Sequence, residues 1–268
     1  MAAPKYQARE QQTLTYEYSS VQWHKERARR RAERKEIKLR TITFSGYEWD
    51  VRAKGKGGPG PNIWDDANAQ VDDKGSLHLK ITSNTDTAGN TEWHCVELST
   101  QQRLGFGRYQ FQVIGRIDKL DRNVVLGLFK YPSPDVGEDG TNEIDIEFAQ
   151  WGRATANNAD YVVYPASGPR VREDNVEFQV TLEGNYTTHR FLWESDQVTF
   201  QSMHGHRDDD TNEFQTWQYA PNEARLIPQQ PTPVRINLWL FRGMAPLDSA
   251  EVEIIISQFT FTPLDQLD

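Results

Sequence analysis

Three carboxylates lie close together in one short segment of this chain, residues 141–148, which reads TNEIDIEF. The acids Glu143, Asp145 and Glu147 alternate there with large apolar residues. A period of two is typical of a β-strand, so we expect all three acids on one face and the apolar side chains on the other. Like charges on one strand face repel one another and do not stabilise a fold. The pattern instead suits bond cleavage by one ionised nucleophile, one protonated acid and a tuning neighbour, as in glycoside hydrolysis.

The spacing of the outer two acids is compatible with that chemistry. Four residues of extended strand separate the Cα atoms of Glu143 and Glu147 by ~13 Å, and leaning side chains and strand twist shorten the gap. A carboxyl separation of ~5–5.5 Å, the range for retention of configuration, is then within reach, whereas inversion needs ~6.5–9.5 Å. Three acids this close cannot all be ionised at neutral pH, so at least one should have the raised pKa of a general acid. The alternative is the ordinary solvent face of an antiparallel strand.

The rest of the chain supplies the elements that would position these acids. Alternating or β-branched segments predict strands at 41–44, 77–82, 93–98, 107–113, 124–129, 143–148, 161–164, 178–182, 189–193, 198–202, 234–241 and 252–262. Gly, Pro, Asn and Asp punctuate the stretches between them. No long helix is indicated after residue 40. We therefore predict an all-β fold, a β-sandwich or jelly roll, formed by one domain over residues 41–268.

Composition agrees with a single large domain. The chain has 268 residues, a net charge of −9 and eight tryptophans, and all-β sandwiches often reach this size. The tryptophans suit either stacking on sugar rings or a large core. No apolar run is long enough for a transmembrane helix, and the N-terminus has no apolar core of a signal peptide. We therefore expect either a cytoplasmic protein or one whose leader was removed.

The first 40 residues differ from the rest in charge. They carry a net charge of +6, against −15 for the remainder. Residues 20–38 contain good helix formers and no Gly or Pro, which predicts a helix in a basic, partly helical extension over 1–40. Such a helix could bind nucleic acid or an anionic membrane. We favour a solvated extension packed against the acidic domain and expect no nucleic acid partner. An apolar stripe is nearly absent, which argues against an interfacial membrane helix.

Two other groups could carry chemistry. Cys95 is the only cysteine, and a buried thiol in a strand is favoured over a nucleophile because the adjacent His94 should point to the opposite face. His204–Gly205–His206, followed by three aspartates, suggests either a metal site or a polar hairpin turn. The hairpin turn is favoured, and we predict no metal ligands in this segment.

The segment 143–147 also resembles the E-x-D-x-E signature of family 16 glycoside hydrolases, in the form that bacterial lichenases carry. Further segments resemble the family's pattern in the same order: DDKGSLHLKIT (72–82), CVELST (95–100) with LGFGRY (104–109), THRFLW (188–193) and NLW (237–239). Together these matches cover roughly residues 41–263.

The resemblance implies a concanavalin A-like jelly roll of two curved antiparallel sheets with an open cleft. It also implies a retaining endo-β-glycanase that acts on a polysaccharide or oligosaccharide, such as a β-1,3 or mixed β-1,3/1,4 glucan, and requires no cofactor. Glu143 matches the nucleophile, Glu147 the acid/base and Asp145 the assisting acid. Family members often bind a structural Ca²⁺, but no segment here identifies its ligands.

Five residues are expected near the substrate. Four of them fall near cleft positions of the family: Trp239, Tyr164, Glu97 and Asn62. Trp151 follows the acidic strand and precedes a glycine, so it could form a cleft wall or a lid contact. For Trp239, core packing and stacking on a sugar are both open.

The departures from the lichenase pattern concern the substrate subsites. Asn142 stands where an acidic residue is expected, Ser99 occupies the region of an arginine, and Val162 replaces a polar sugar contact. The segment 124–129 lacks the tryptophan of laminarinase-like members. These changes leave open a second hypothesis, a carbohydrate-binding or non-catalytic protein of the same fold.

Overall fold

A computed structural model describes residues 39–267 of the chain. The helix predicted over 20–38, and almost all of the predicted basic extension, lie outside the described residues. Within them, no helix is long and apolar enough to cross a membrane.

One curved sheet carries the acidic strand. Its strands, in spatial order, are β12 (Asn175–Phe178), β11 (Ala159–Val163), β10 (Ile144–Phe148), β9 (Val124–Lys130), β16 (Thr232–Leu240), β7 (Thr91–Leu104), β2 (Tyr47–Val51) and β1 (Arg40–Phe44). Each neighbouring pair is antiparallel. The acidic strand β10 is thus an inner strand, with partners on both sides.

A second sheet packs behind the first. Its order is β15 (Glu213–Tyr219), β14 (Val198–His204), β13 (Tyr186–Trp193), β8 (Gly107–Ile114), β17 (Val252–Pro263), β6 (Leu77–Thr85) and β5 (Ala69–Val71). The hairpin of β6 and β7 joins the two sheets, and the short strands β3 (Gly55–Gly57) and β4 (Asn62–Trp64) attach beside it. Five 3₁₀ helices of three residues each complete the elements: Asp66–Asn68, Ile117–Lys119, Ala224–Leu226, Phe241–Gly243 and Leu264–Gln266.

The core lies between the two sheets and explains the alternation along β10. Ile144, Ile146 and Phe148 are fully buried in it. Aromatic rings bridge the two sheets there: Tyr161 of β11 stacks on Phe200 of β14 with ring centroids 4.7 Å apart. Because successive strand residues point to opposite faces, burying this apolar set places Asp145 and Glu147 on the open face.

The predicted all-β jelly roll is confirmed, and most of the predicted strands are present. Some local predictions differ from the structure. The sequence pattern predicts no strand at β2, at β15 or at the three-residue strands β3, β4 and β5, and it predicts a strand at 178–182 where the structure has β12 at Asn175–Phe178. β12 and β15 end their sheets and are largely exposed, so burial imposes little apolar pattern on them.

Candidate active site

The three acids of the signature line one cavity of about 820 Å³ on the open face of the first sheet. Asp145 and Glu147 project from β10, and Glu143 directly precedes that strand. The main chain of Glu143 remains paired, because its carbonyl accepts a hydrogen bond from the Tyr164 amide. The preceding residue, Asn142, has a positive φ of 53°, a conformation that Asn tolerates better than most residues. The pairing confirms that all three acids belong to one strand face.

Neighbouring strands bring further polar residues beside the acids. Directly paired positions form one row across the sheet, and its members are Glu97, Asn237, Gly127, Glu147, Asp160 and Glu177. The next row comprises Asp50, Ser99, Arg235, Phe129, Asp145 and Val162. Paired residues share a face with Cβ atoms about 4.5–5.5 Å apart. Most members of the two rows line the cavity, whereas Gly127, Asp160, Glu177 and Val162 do not.

Burial raises the pKa of all three acids of the cluster. Burial raises the pKa of Glu143 to about 8, although a hydrogen bond with Asp145 lowers it. Burial, and then the neighbouring Glu143 and Glu147 charges, raise the pKa of Asp145 well above its usual range. The pKa of Glu147 is likewise raised well above its usual range, by burial first and then by Asp160. All three carboxyl groups therefore hold a proton more tightly than isolated carboxyl groups do, and Glu143 and Asp145 share a hydrogen bond.

Aromatic side chains form one wall of the cavity. Trp151 and Trp239 both line it, with ring centroids 6.2 Å apart. Trp239 is only 7% exposed and belongs to the core cluster, although it also lines the cavity. Stacking of Trp239 on a sugar stays a prediction. Tyr164 also lines the cavity and lies under the guanidinium of Arg170, 4.2 Å from its ring centroid.

Two guanidinium groups lie opposite this wall. Arg52 and Arg235 approach the same oxygen of Glu97, at 3.3 and 3.5 Å. Arg235 is directly paired with Ser99 across the strands. A guanidinium therefore does lie beside Ser99, where the sequence analysis found the expected arginine missing, but it comes from a different strand.

Asn62 differs from the other predicted substrate-binding residues. It does not line the cavity and is 2% exposed. Its amide nitrogen donates to the carbonyls of Pro59 and Leu240, at 2.7 and 2.9 Å, and its amide oxygen lies 3.3 Å from the Cys95 thiol. These bonds use both amide hydrogens, so Asn62 fastens the Pro59 loop to β16. Contact with a sugar through Asn62 stays a prediction.

Cys95 is the buried thiol that the sequence predicts. Burial raises its pKa to about 12, so the nucleophilic thiolate does not form at neutral pH. His204, Gly205 and His206 lie where β14 turns toward β15, as the hairpin prediction states. Among residues 39–267, no three His, Cys, Asp or Glu side chains are grouped to hold a metal. Binding of a structural Ca²⁺ through other oxygens stays a prediction.

Several cavity residues escaped the sequence analysis: Asp50, Arg52, Phe129, Tyr131, Asp139, Arg235 and Asn237. Asp139 and Tyr131 are joined by a 2.6 Å hydrogen bond. The apolar alternation of β16 could have indicated that Arg235 and Asn237 face the open side, whereas β9 is a nearly continuous apolar run. Long-range pairing decides which strands are neighbours and in which register they pair. The local sequence carries no signal of either.

Comparison with known proteins agrees with the fold and assigns a family. The family model "Glycosyl hydrolases family 16" matches residues 61–249. No curated protein matches the chain by sequence. Among solved structures, a β-1,3-1,4-glucanase (lichenase) from a mouse hindgut metagenome has 21% identity and a TM-score of 0.59, covering 81% of this chain and 93% of that one.

Two further structures have the same fold. The Bacillus licheniformis β-glucanase has 21% identity and a TM-score of 0.59, covering 82% of this chain and 94% of its own. A Bacteroides ovatus family 16 protein, solved with a G4G4G3G product, has 13% identity and a TM-score of 0.57, covering 80% and 94%. At these identities the structures support the fold, and the family model supports the chemistry. This chain belongs to family 16 of the glycosyl hydrolases and is a glycoside hydrolase.

Proposed function

We propose that this hydrolase is a retaining endo-β-glycanase that cleaves a β-1,3 or mixed β-1,3/1,4-linked glucan. The observation that carries the proposal is the placement of Glu143, Asp145 and Glu147 on one strand face in a single open cavity. Its volume of about 820 Å³ lies near the upper end of the range for small-molecule sites, ~300–1,000 Å³. A segment of several sugar units fits such a site better than one monosaccharide does.

The proposed mechanism assigns one role to each acid. Glu143, in its ionised form, attacks the anomeric carbon while Glu147 protonates the departing glycosidic oxygen. The bond to the leaving sugar breaks and a covalent glycosyl-enzyme forms. Glu147, now ionised, takes a proton from water, which attacks the anomeric carbon and releases Glu143. Asp145 stays protonated and holds Glu143 through their shared hydrogen bond.

The charges in the cavity favour a neutral polysaccharide. Arg52 and Arg235 are both paired with Glu97, so neither guanidinium is free to attract an anionic sugar. Asp50 and Asp139 also line the cavity and would repel sulfate or uronate groups. The β-1,3-1,4-glucanase (lichenase) and the B. ovatus mixed-linkage glucan protein have the same fold, which supports the glucan assignment.

A polysaccharide panel tests the proposal. We expect reducing ends from β-1,3 and mixed β-1,3/1,4 glucans, with products that are oligosaccharides by mass spectrometry, and little release from β-1,4 glucan or sulfated galactan. Proton NMR of the first products should show the β-anomer, as retention requires. Initial α-anomer would contradict retention. Glycan binding by calorimetry without any product would favour the non-catalytic alternative, and monosaccharide as the first product would contradict endo cleavage.

Gly127→Ala tests whether Asn237 contacts the sugar. The Asn237 amide oxygen has no hydrogen-bond partner, although the residue is only 6% exposed and lines the cavity. A Cβ at Gly127 would lie 2.5 Å from this oxygen, so the carboxamide must move. Loss of one sugar hydrogen bond should raise KM ~3–10-fold with little change in melting temperature.

The matched control is Gly184→Ala, because a Cβ there meets nothing within 4 Å. Its steady-state kinetics should match the wild type. An unchanged KM in Gly127→Ala would show that Asn237 does not contribute to substrate binding.

A further inference from the structure

A fourth carboxyl group, Asp160, lies beside the acid cluster but outside the signature segment. It is the direct partner of Glu147 on the neighbouring strand β11. Directly paired residues of antiparallel strands share a face, with Cβ atoms about 4.5–5.5 Å apart. The two carboxyl groups are therefore immediate neighbours.

The other flank of Glu147 offers no side chain. Its partner on β9 is Gly127, and beyond it lies the uncharged Asn237 of β16. Asp160 is thus the side-chain neighbour of Glu147 along the row. Glu143, which directly precedes the same strand, acts on Glu147 from a second direction.

Asp160 is placed where its own charge is costly. It is 7% exposed, and its Oδ1 atom has no hydrogen-bond partner. The pKa of Asp160 is raised to about 7, mainly by burial. The charge of Glu177, its partner on β12, contributes to the increase. A buried carboxyl with an unpaired oxygen contributes little to stability, so a role toward its neighbour explains its presence better than packing does.

Three neighbouring groups lower the pKa of Asp160 and so oppose the effect of burial. The indole of Trp151, in the loop after β10, favours the ionised form of Asp160, and the charges of Arg153 and Arg170 do the same. Trp151 has a positive φ of 52°, which is an outlier for so bulky a residue. The loop therefore holds a strained residue at the point where its indole reaches Asp160.

We propose that Asp160 and Glu147 form a carboxyl pair that carries one negative charge, in which Asp160 is a positioning residue that keeps the proton on Glu147. The charge lies on Asp160 and disfavours a second charge on Glu147, because the Cβ atoms of directly paired residues on adjacent strands are about 4.5–5.5 Å apart. Glu147 therefore remains able to protonate the leaving oxygen at a pH where an isolated glutamate would be ionised. This inference rests on the proposed role of Glu147 as general acid.

Asp160→Asn is the test, because it removes the charge and keeps the shape. Without that charge the pKa of Glu147 falls, so the alkaline limb of kcat/KM should move about one pH unit lower. Below about pH 6 Asp160 is already protonated in the wild type, and the two enzymes should have similar kcat/KM. Above the new limb, the variant should lose about tenfold in kcat/KM. A purely structural role would lower activity at every pH instead.

Glu177→Gln is the matched control. It removes the same charge from the same row, one strand farther from Glu147, at an exposed position. Its alkaline limb should move by at most a few tenths of a pH unit. An unshifted limb in Asp160→Asn, or an equal shift in Glu177→Gln, would overturn the proposal.

Carboxyl ¹³C NMR separates this proposal from the proposed function. The Glu147 signal, identified by its absence in Glu147→Gln, should titrate about one pH unit lower in Asp160→Asn than in the wild type. A shifted signal in a protein that cleaves no glycan would support the pair and contradict the glycanase. Glycan cleavage together with an unshifted Glu147 signal would support the glycanase and contradict the pair. If the variant does not fold, a wild-type Asp160 signal that titrates near the ordinary value of about 4 overturns the pair.

Discussion

Glu143→Gln should abolish turnover, lowering kcat by ~10⁴–10⁶-fold, the range for loss of a covalent nucleophile. Glutamine keeps the shape of the side chain but cannot form the glycosyl-enzyme. The measurement is release of reducing ends from the best glucan of the panel. Glu138→Gln is the matched control, because Glu138 is an exposed acid in the loop before the same strand, and it should keep wild-type kcat.

The stability of this variant separates lost chemistry from lost folding. The folded-state pKa of Glu143 is raised to about 8, mainly by burial, above an unfolded value of about 4.3. A carboxyl with a raised folded pKa destabilises the folded state increasingly as the pH rises between those two values. Glu143→Gln should therefore melt at or above the wild-type temperature at pH 8. An inactive variant that melts much lower would not identify the nucleophile, and a variant with more than 10% of wild-type kcat would contradict the assignment.

A smaller replacement gives a positive signal for the same role. Glu143→Ala leaves space beside the anomeric carbon, so a small anion such as azide can attack in place of the carboxylate. With an activated β-glycosyl fluoride or aryl β-glycoside as donor, we expect azide to restore turnover and to yield the α-glycosyl azide. A β-glycosyl azide would instead place the missing carboxylate on the acid/base side.

Glu147→Ala should show a loss that depends on the leaving group. With a polysaccharide, whose leaving alcohol needs a proton, kcat/KM should fall ~10²–10⁴-fold. With an aryl glycoside whose phenol is acidic, bond cleavage needs no proton, and the first step should stay within about tenfold of wild type. The second step lacks its general base, so the glycosyl-enzyme should accumulate.

Three measurements check this prediction. Rapid mixing should show a burst of phenol, intact mass spectrometry should show the added glycosyl unit, and the alkaline limb of the pH profile should disappear. The limb disappears because the group that loses its proton there, Glu147 with its raised pKa, is gone. Glu138→Gln again serves as the control and should show neither burst nor adduct. Equal losses on both substrates would contradict the acid/base role.

The sequence predicts the fold because a large sandwich core imposes a strong pattern. Along β10, Ile144, Ile146 and Phe148 must all be buried, and that requirement alone sends the intervening acids to the other face. Where one side of a strand has no core to cover, as in β15 at residues 213–219, the pattern weakens and the strand was missed. Burial is thus the local signal that sequence analysis can detect.

The sequence by itself determined the alternating acids, the all-β fold and the family to which the chain belongs. Tertiary structure decided which side chains meet those acids: it placed Arg235 beside Ser99, Gly127 beside Glu147 and Asp160 on the far side of Glu147. The physical reason is that the side-chain period is local, whereas cross-strand neighbours depend on strand order and register over many residues. The acid strand therefore indicates how a bond is broken, and its partners across the sheet set the charge on each acid.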